Sequence, residues 1–392
     1  MTETNSSLTA FSGVDIFDGR ERHTDAALLV LAGRVKAIVP RKAIPKGAEA
    51  VDLQGGIIAP GFVDLQVNGG GGILFNEEQS VDCLRRIVNA HADNGTTALL
   101  PTLITDTRDR TQAAIVAVAE AIAEGVPGIL GLHLEGPHLS LARKGAHDPG
   151  LIRPMETEDM EMLQQAALAL PNLMVTVAPE SVTPEQIGEL AAAGILVSLG
   201  HTDADYQACR DAVANGARCA THLFNAMSQL TSRAPGLVGA ALDLGAMNAG
   251  LIADGIHVHP ATIRAALHGK TGPGAVFLVT DSMAAAGTDL TEFTLNGRTI
   301  YRRGGRLTLE DGTLAGADLD MPRAVQVMVE QVGVTTDRAL AMATRIPAHI
   351  LGRAPEFGTL QPGARADFVH LGNNLFLKGA WRTGNRLKAD VA

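Results

Sequence analysis

From Gly61 to about Pro355 the chain alternates short apolar runs with stretches of helical period, and this alternation limits its fold more than any other feature. The apolar runs include TTALLPTLI, GILGLHLE, LMVTVAPE, GILVSLGH, ARCATHLF, AGLIADG and AVFLVTD. Between them lie SVDCLRRIVNAHADNG, TQAAIVAVAEAIAEG, MEMLQQAALAL and TPEQIGELAAAG, which have helical character. Strand and helix in strict alternation imply parallel βαβ units, and about eight such units close into an α/β fold of the (β/α)8 TIM-barrel kind. A doubly wound sheet is the alternative, but the glycine-rich VDLQVNGGGGILFN does not lead into a GxGxxG helix start. Gly69 to Gly72 are read instead as a loop that permits close backbone approach.

The two ends have a different character. Residues 1–60 carry short strands joined by glycine turns, among them a hairpin about Ala32-Gly33-Arg34, and residues 356–392 repeat that pattern. Neither end has enough apolar surface to fold alone, so the two are expected to pair into one small β-sandwich domain. The catalytic barrel is then expected over residues 61–355, with an inserted β-hairpin near residues 293–316.

Composition excludes several classes. A formal net charge of -10 without long charged runs argues against binding nucleic acid, which requires a basic surface. No uninterrupted apolar stretch approaches the roughly 18 residues of a membrane span, and the N-terminus lacks a basic flank followed by an apolar core. A cytoplasmic location with no membrane association is expected. Cys83, Cys209 and Cys219 are far apart and lack CxxC spacing, so neither a disulfide framework nor a thiolate zinc site is indicated.

Four polar residues close apolar runs: Glu135 in GLHLEGP, His201 in VSLGH, His222 in CATH and Asp281 in LVTD. Alternation along a strand puts His133 and Glu135 on the inward face, with Leu132 and Leu134 toward the helices. Barrel enzymes build their sites at the C-terminal ends of the strands, and a buried carboxylate requires a cation or hydrogen-bond donors. Glu135, His201 and His222 make a three-ligand set that leaves one position open, as catalytic zinc sites do. Asp281 is then the base and acid; the competing assignment makes it a fourth ligand. Barrel hydrolases with two metals carry His-x-His after the first strand. Here Gln66-Val67-Asn68 occupies that place, and amides are poor ligands, so one divalent ion is expected.

PGFVDLQVNG, PTLIT, GLHLEGPHL, KGAHDP, SLGHT, THLFNAM, PGLVGA, IADGIHVH and LVTDSMAAAG follow in this order. Together they resemble the N-acetylglucosamine-6-phosphate deacetylases of the amidohydrolase superfamily, across essentially the whole chain. The resemblance implies hydrolysis of N-acetylglucosamine 6-phosphate to acetate and glucosamine 6-phosphate, with Glu135, His201 and His222 on the metal and Asp281 as acid and base. It implies that His147 faces the scissile amide and that Asn225 and Ala226 meet the phosphate. Ala146, Leu314, Ala315 and Gly316 would bind the sugar. Arg233 and His257 would reach across a homodimer interface into the partner's site. Zinc is the expected ion, with iron(II) or another divalent ion as alternatives. Two departures stand out: His138, which could shift a pocket wall or act as a ligand, and Ser282-Met283, which bear on sugar specificity. His23, His91, His259, His268, His349 and His370 are read as surface or structural residues. Two rival functions share parts of this pattern: a barrel amidohydrolase of cyclic amides or N-acyl amino acids, and a non-catalytic sensor of amino-sugar phosphates.

Overall fold

The computed structural model describes residues 7–387. Eight parallel strands lie side by side in chain order: β1 (Phe62–Val67), β2 (Thr96–Ile104), β3 (Leu132–Glu135), β4 (Leu173–Val177), β5 (Leu196–Leu199), β6 (Cys219–Ala220), β7 (Asn248–Ile252) and β8 (Val276–Val279). The end of β8 returns to β1, since Asp281 N–H donates to Gln66 O at 3.0 Å and Asn68 N–H to Ser282 O at 2.9 Å. The barrel expected from the alternating pattern is thus present. Helices follow the strands: α1 (Val81–Asp93), α2 (Arg108–Ala123), α3 (Thr157–Ala169), α4 (Pro184–Ala192), α5 (Tyr206–Ala214), α6 (Gly236–Asp243) and α7 (Pro260–Gly269). Side-chain caps fix several starts, such as Thr107 on α2, Thr183 on α4 and Asp205 on α5.

Leu132 and Leu134 join the apolar layer with Leu163, Val175 and Ile187, as alternation along β3 requires. The inward side of the barrel is polar instead. His133 lies 2.8 Å from Thr176 Oγ1 and 3.3 Å from Thr102 Oγ1, and Thr221 Oγ1 lies 2.7 Å from Thr176 Oγ1 and 2.6 Å from Ser198 Oγ. Complete burial lowers the His133 pKa to about 4, so this ring is neutral. Hydroxyl and imidazole groups satisfy one another here, which is the condition for keeping them inside.

The chain divides into two compact units, one comprising residues through Asp64, His91–Ala98 and residues from Asp320 on, the other Leu65–Ala90 with Leu99–Leu319. In the first, chain ends pair directly: Phe368–Leu371 runs antiparallel to Ile57–Pro60 within a six-stranded sheet. A second, four-stranded sheet contains the hairpin Ala26–Leu31 with Arg34–Pro40, turning at Ala32 (φ 49°) and Gly33 (φ 74°). Positive φ at both central residues is what a twisted two-residue hairpin demands. Both sheets share one apolar cluster, in which Phe368 stacks on Trp381 at 4.8 Å and meets Phe11 edge-on at 4.9 Å.

The insertion expected as a hairpin has four antiparallel strands: Glu292–Leu295, Arg298–Arg303, Arg306–Thr308 and Leu314–Ala317. Among the described residues no helix is long and apolar enough to cross a membrane.

Candidate active site

Glu135 is the last residue of β3, while His201, His222 and Asp281 each follow the last residue of β5, β6 and β8 by two positions. Those three have positive φ, at 47°, 32° and 51°. Non-glycine residues in this region cost about 1–3 kcal/mol each and persist where the surroundings hold them, often at functional sites. The bend turns all three side chains onto the same point at the barrel mouth. His222 Nε2 is 3.0 Å and His201 Nε2 3.2 Å from Glu135 Oε1, and the two Nε2 atoms are 3.1 Å apart.

Burial works against the Glu135 charge, but hydrogen bonds and charge from His201 and His222 prevail and hold its pKa well below the usual value. Burial likewise opposes protonation of His222, and Glu135 outweighs it, so the His222 pKa is raised. Glu135 and His222 therefore form a buried charge pair, with the His201 ring beside them. The donor set fits a divalent ion. Tetrahedral bonds of about 2.0–2.1 Å require ligand atoms roughly 3.3 Å apart, close to the three separations found. His147 stands beside them, with a ligand atom within 4.8 Å of those of Glu135 and His201.

His147 is fixed by Thr105, whose Oγ1 lies 2.7 Å from Nδ1. Burial pushes its pKa well below the usual imidazole value, so the ring is neutral. The His201 ring is oriented by the Arg143 carbonyl, 2.8 Å from Nδ1. Such a bond leaves Nε2 as the coordinating nitrogen.

Asp281 is half-buried, and desolvation first, then the charge of Glu135, raises its pKa to about 6. Two amides hold it. Asn68 Nδ2 donates to Oδ1 at 2.7 Å, and Gln66 Nε2 lies 3.2 Å from the same oxygen while contacting both oxygens of Glu135 at 3.2 and 3.3 Å. Sequence reasoning considered these amides only as weak ligands. Their spacing of two along β1 was the available sign that both face inward.

These groups open into a cavity of about 540 Å³. Ala146, His147, Asn225, Ala226, Leu314, Ala315 and Gly316 all line it, as does Met283. At Gly316 (φ 67°) a Cβ would meet Met283 Cγ at 2.4 Å, so the inserted sheet approaches the site at a position suited only to glycine.

Two expectations are corrected. His257, expected in a partner's site, lines this chain's own cavity, with its side chain 6% exposed and Nδ1 2.6 Å from Asp254 Oδ2. His138 forms no pocket wall or ligand. The turn after Glu135 directs it away, so that Nδ1 meets the Arg153 carbonyl at 3.1 Å and Nε2 lies 3.9 Å from Asp159. Arg233 is exposed and does not line the cavity of its own chain.

Residues 57–385 match the model of the Amidohydrolase family. The chain is 44% identical over 335 residues to the N-acetylgalactosamine-6-phosphate deacetylase of Shewanella sp. (strain ANA-3), covering 86% of this chain and 84% of that protein. It is 35% identical over 348 residues to the N-acetylglucosamine-6-phosphate deacetylase of Haemophilus influenzae, covering 88% and 90%. The crystal structure of N-acetylglucosamine-6-phosphate deacetylase from Pasteurella multocida superimposes with a TM-score of 0.92 at 35% identity, covering 97% of this chain and 99% of that one.

Proposed function

This chain belongs to the hexosamine-6-phosphate deacetylases of the amidohydrolase family, and we propose that it hydrolyses N-acetylglucosamine 6-phosphate to acetate and glucosamine 6-phosphate. The observation that carries this reading is the convergence of Glu135, His201, His222, His147 and Asp281 on one cavity. Glu135, His201 and His222 would hold a single divalent ion, zinc first among the candidates. Such an ion polarises a carbonyl and makes water acidic near neutral pH.

An amide is a poor electrophile, so water must lose a proton as it attacks and the departing nitrogen must gain one. Asp281 suits both tasks, because its carboxyl is raised toward neutrality and is fixed by Asn68 and Gln66. It takes a proton from water as the C–O bond forms, then gives that proton to nitrogen as the C–N bond breaks. With Thr105 at Nδ1, His147 offers Nε2–H to the carbonyl oxygen and stabilises the charge that develops there. Asn225, Ala226 and His257, which line the same cavity, take the phosphate. Binding energy from that remote group positions the acetamide.

We place Arg233 at the phosphate of a second copy in a homodimer, a role suited to a planar guanidinium on an exposed segment. The 44% identity to the Shewanella protein favours a second reading, the galactosamine epimer, which differs only at C4. Acetate release from each epimer by purified protein, with metal content measured in parallel, separates them. A higher kcat/KM for N-acetylgalactosamine 6-phosphate replaces the first reading with the second, and no turnover of either ends both.

A further inference from the structure

The loop after β7 contains a carboxylate–imidazole pair that the reaction chemistry does not use. Asp254 divides its two oxygens between different tasks. Oδ1 accepts the backbone N–H groups of Ile256 and His257, both at 2.8 Å, which closes the turn. Oδ2 alone reaches the ring, 2.6 Å from His257 Nδ1. Both side chains are nearly buried, at 5% and 6% exposure, so the pair is shielded from solvent.

Burial disfavours the Asp254 charge, and the hydrogen bond and charge of His257 with the two N–H donors overcome it, leaving the pKa below the usual carboxylate value. An ionised Oδ2 can only accept, so Nδ1 must carry a proton. That leaves Nε2 for the cavity, where it meets a phosphate oxygen only as a second N–H.

We infer that Asp254 is a positioning residue for substrate phosphate, holding the His257 ring by Nδ1 so that Nε2 is aimed into the cavity. This inference rests on the reading that His257 binds the 6-phosphate. It assigns the turn to one oxygen of Asp254 and phosphate recognition to the other. Asp254→Asn separates the two tasks. The amide oxygen keeps the turn, while the amide NH2 replaces the carboxylate oxygen at Nδ1.

The test compares N-acetylglucosamine 6-phosphate with unphosphorylated N-acetylglucosamine in wild type, Asp254→Asn, His257→Asn and the double variant. Phosphate preference is the ratio of the two kcat/KM values. In Asp254→Asn it should fall about tenfold, because the ring that meets the phosphate is no longer backed by a carboxylate at Nδ1, with the loss mainly in KM. His257→Asn should lower it further, and the double variant should match His257→Asn. Asp254→Ser, which also keeps an acceptor for the turn, should repeat the fall and guards against poor folding of the first variant. Equal losses on both sugars in the Asn and Ser variants make Asp254 a structural residue and overturn the inference. A double variant as impaired as the product of the two singles overturns action through His257. No change of preference in His257→Asn overturns the phosphate reading itself, an outcome distinct from failure at Asp254 alone.

Discussion

Asn68 holds the carboxylate of Asp281 by a 2.7 Å hydrogen bond from Nδ2 to Oδ1. The bond steadies, in one orientation, the half-buried group proposed to accept and return a proton. Truncation in Asn68→Ala frees that carboxylate to rotate toward Gln66 or away from the cavity. We expect kcat to fall about tenfold to a hundredfold with a smaller change in KM, since misplaced catalytic groups carry penalties of that order. Steady-state acetate release measures this; a pure KM effect would assign Asn68 to the sugar instead.

Asp281→Asn preserves the shape of the side chain and removes its proton chemistry. General acid–base groups contribute about 10²–10⁴ in rate, and in the proposed mechanism one residue serves both transfers, so a loss near the top of that range is expected in kcat. Calorimetric binding of N-acetylglucosamine 6-phosphate should be retained. Activity within tenfold of wild type would remove Asp281 from the mechanism and point to its alternative role as a fourth ligand.

Metal removal distinguishes His222 from His147 as the third ligand. Both rings flank Glu135 and His201, but only His222 Nε2 comes within 3.1 Å of those two ligand atoms. Dialysis against a chelator should abolish acetate release, and one equivalent of a divalent ion per subunit should restore it. His222→Ala should purify with little metal. His147→Ala should keep a full equivalent by elemental analysis while losing most of kcat. The reverse pattern would exchange the two assignments.

The barrel was legible because parallel strands buried on both faces read as continuous apolar runs, and the meeting of Glu135, His201, His222 and Asp281 at its mouth because each closes such a run. Side-chain direction after a turn was less accessible. His138 follows the Gly136-Pro137 break, and nothing in its spacing tells which side of the strand it takes. The family resemblance puts His257 in a partner's site, and sequence order contains no information about which molecule a loop residue faces; its pairing with Asp254 three positions earlier is the local sign of a role in its own chain. In the insertion, Asn296-Gly297, Gly304-Gly305 and Asp311-Gly312 each mark a tight turn. Three such turns make four strands. Gln66 and Asn68 stand in the sequence only as poor ligands, because their use as donors depends on where Glu135 and Asp281 arrive from elsewhere in the chain.

Asp159 on α3 gives a pH-dependent stability that can be isolated by one substitution. Its side chain is fully buried and receives Arg108 Nε at 3.0 Å, Arg153 Nη2 at 2.7 Å and the Glu156 N–H at 3.1 Å. Burial disfavours its charge, but Arg153 and Arg108 prevail and hold its pKa well below the ordinary value of 3.8. A carboxylate with a depressed folded-state pKa contributes stability that is complete above its unfolded value and is lost as pH falls toward the folded one. Asp159→Asn should therefore cost about 2 kcal/mol near pH 7, the scale of charge-assisted hydrogen bonds lost, and this gap from wild type should narrow as pH drops below about 4. Urea unfolding of both proteins from pH 7 to pH 3 measures it, because every other carboxylate is common to the pair and cancels. A gap that stays constant across that range would mean that the arginines do not depend on the Asp159 charge, and that packing alone makes this residue matter.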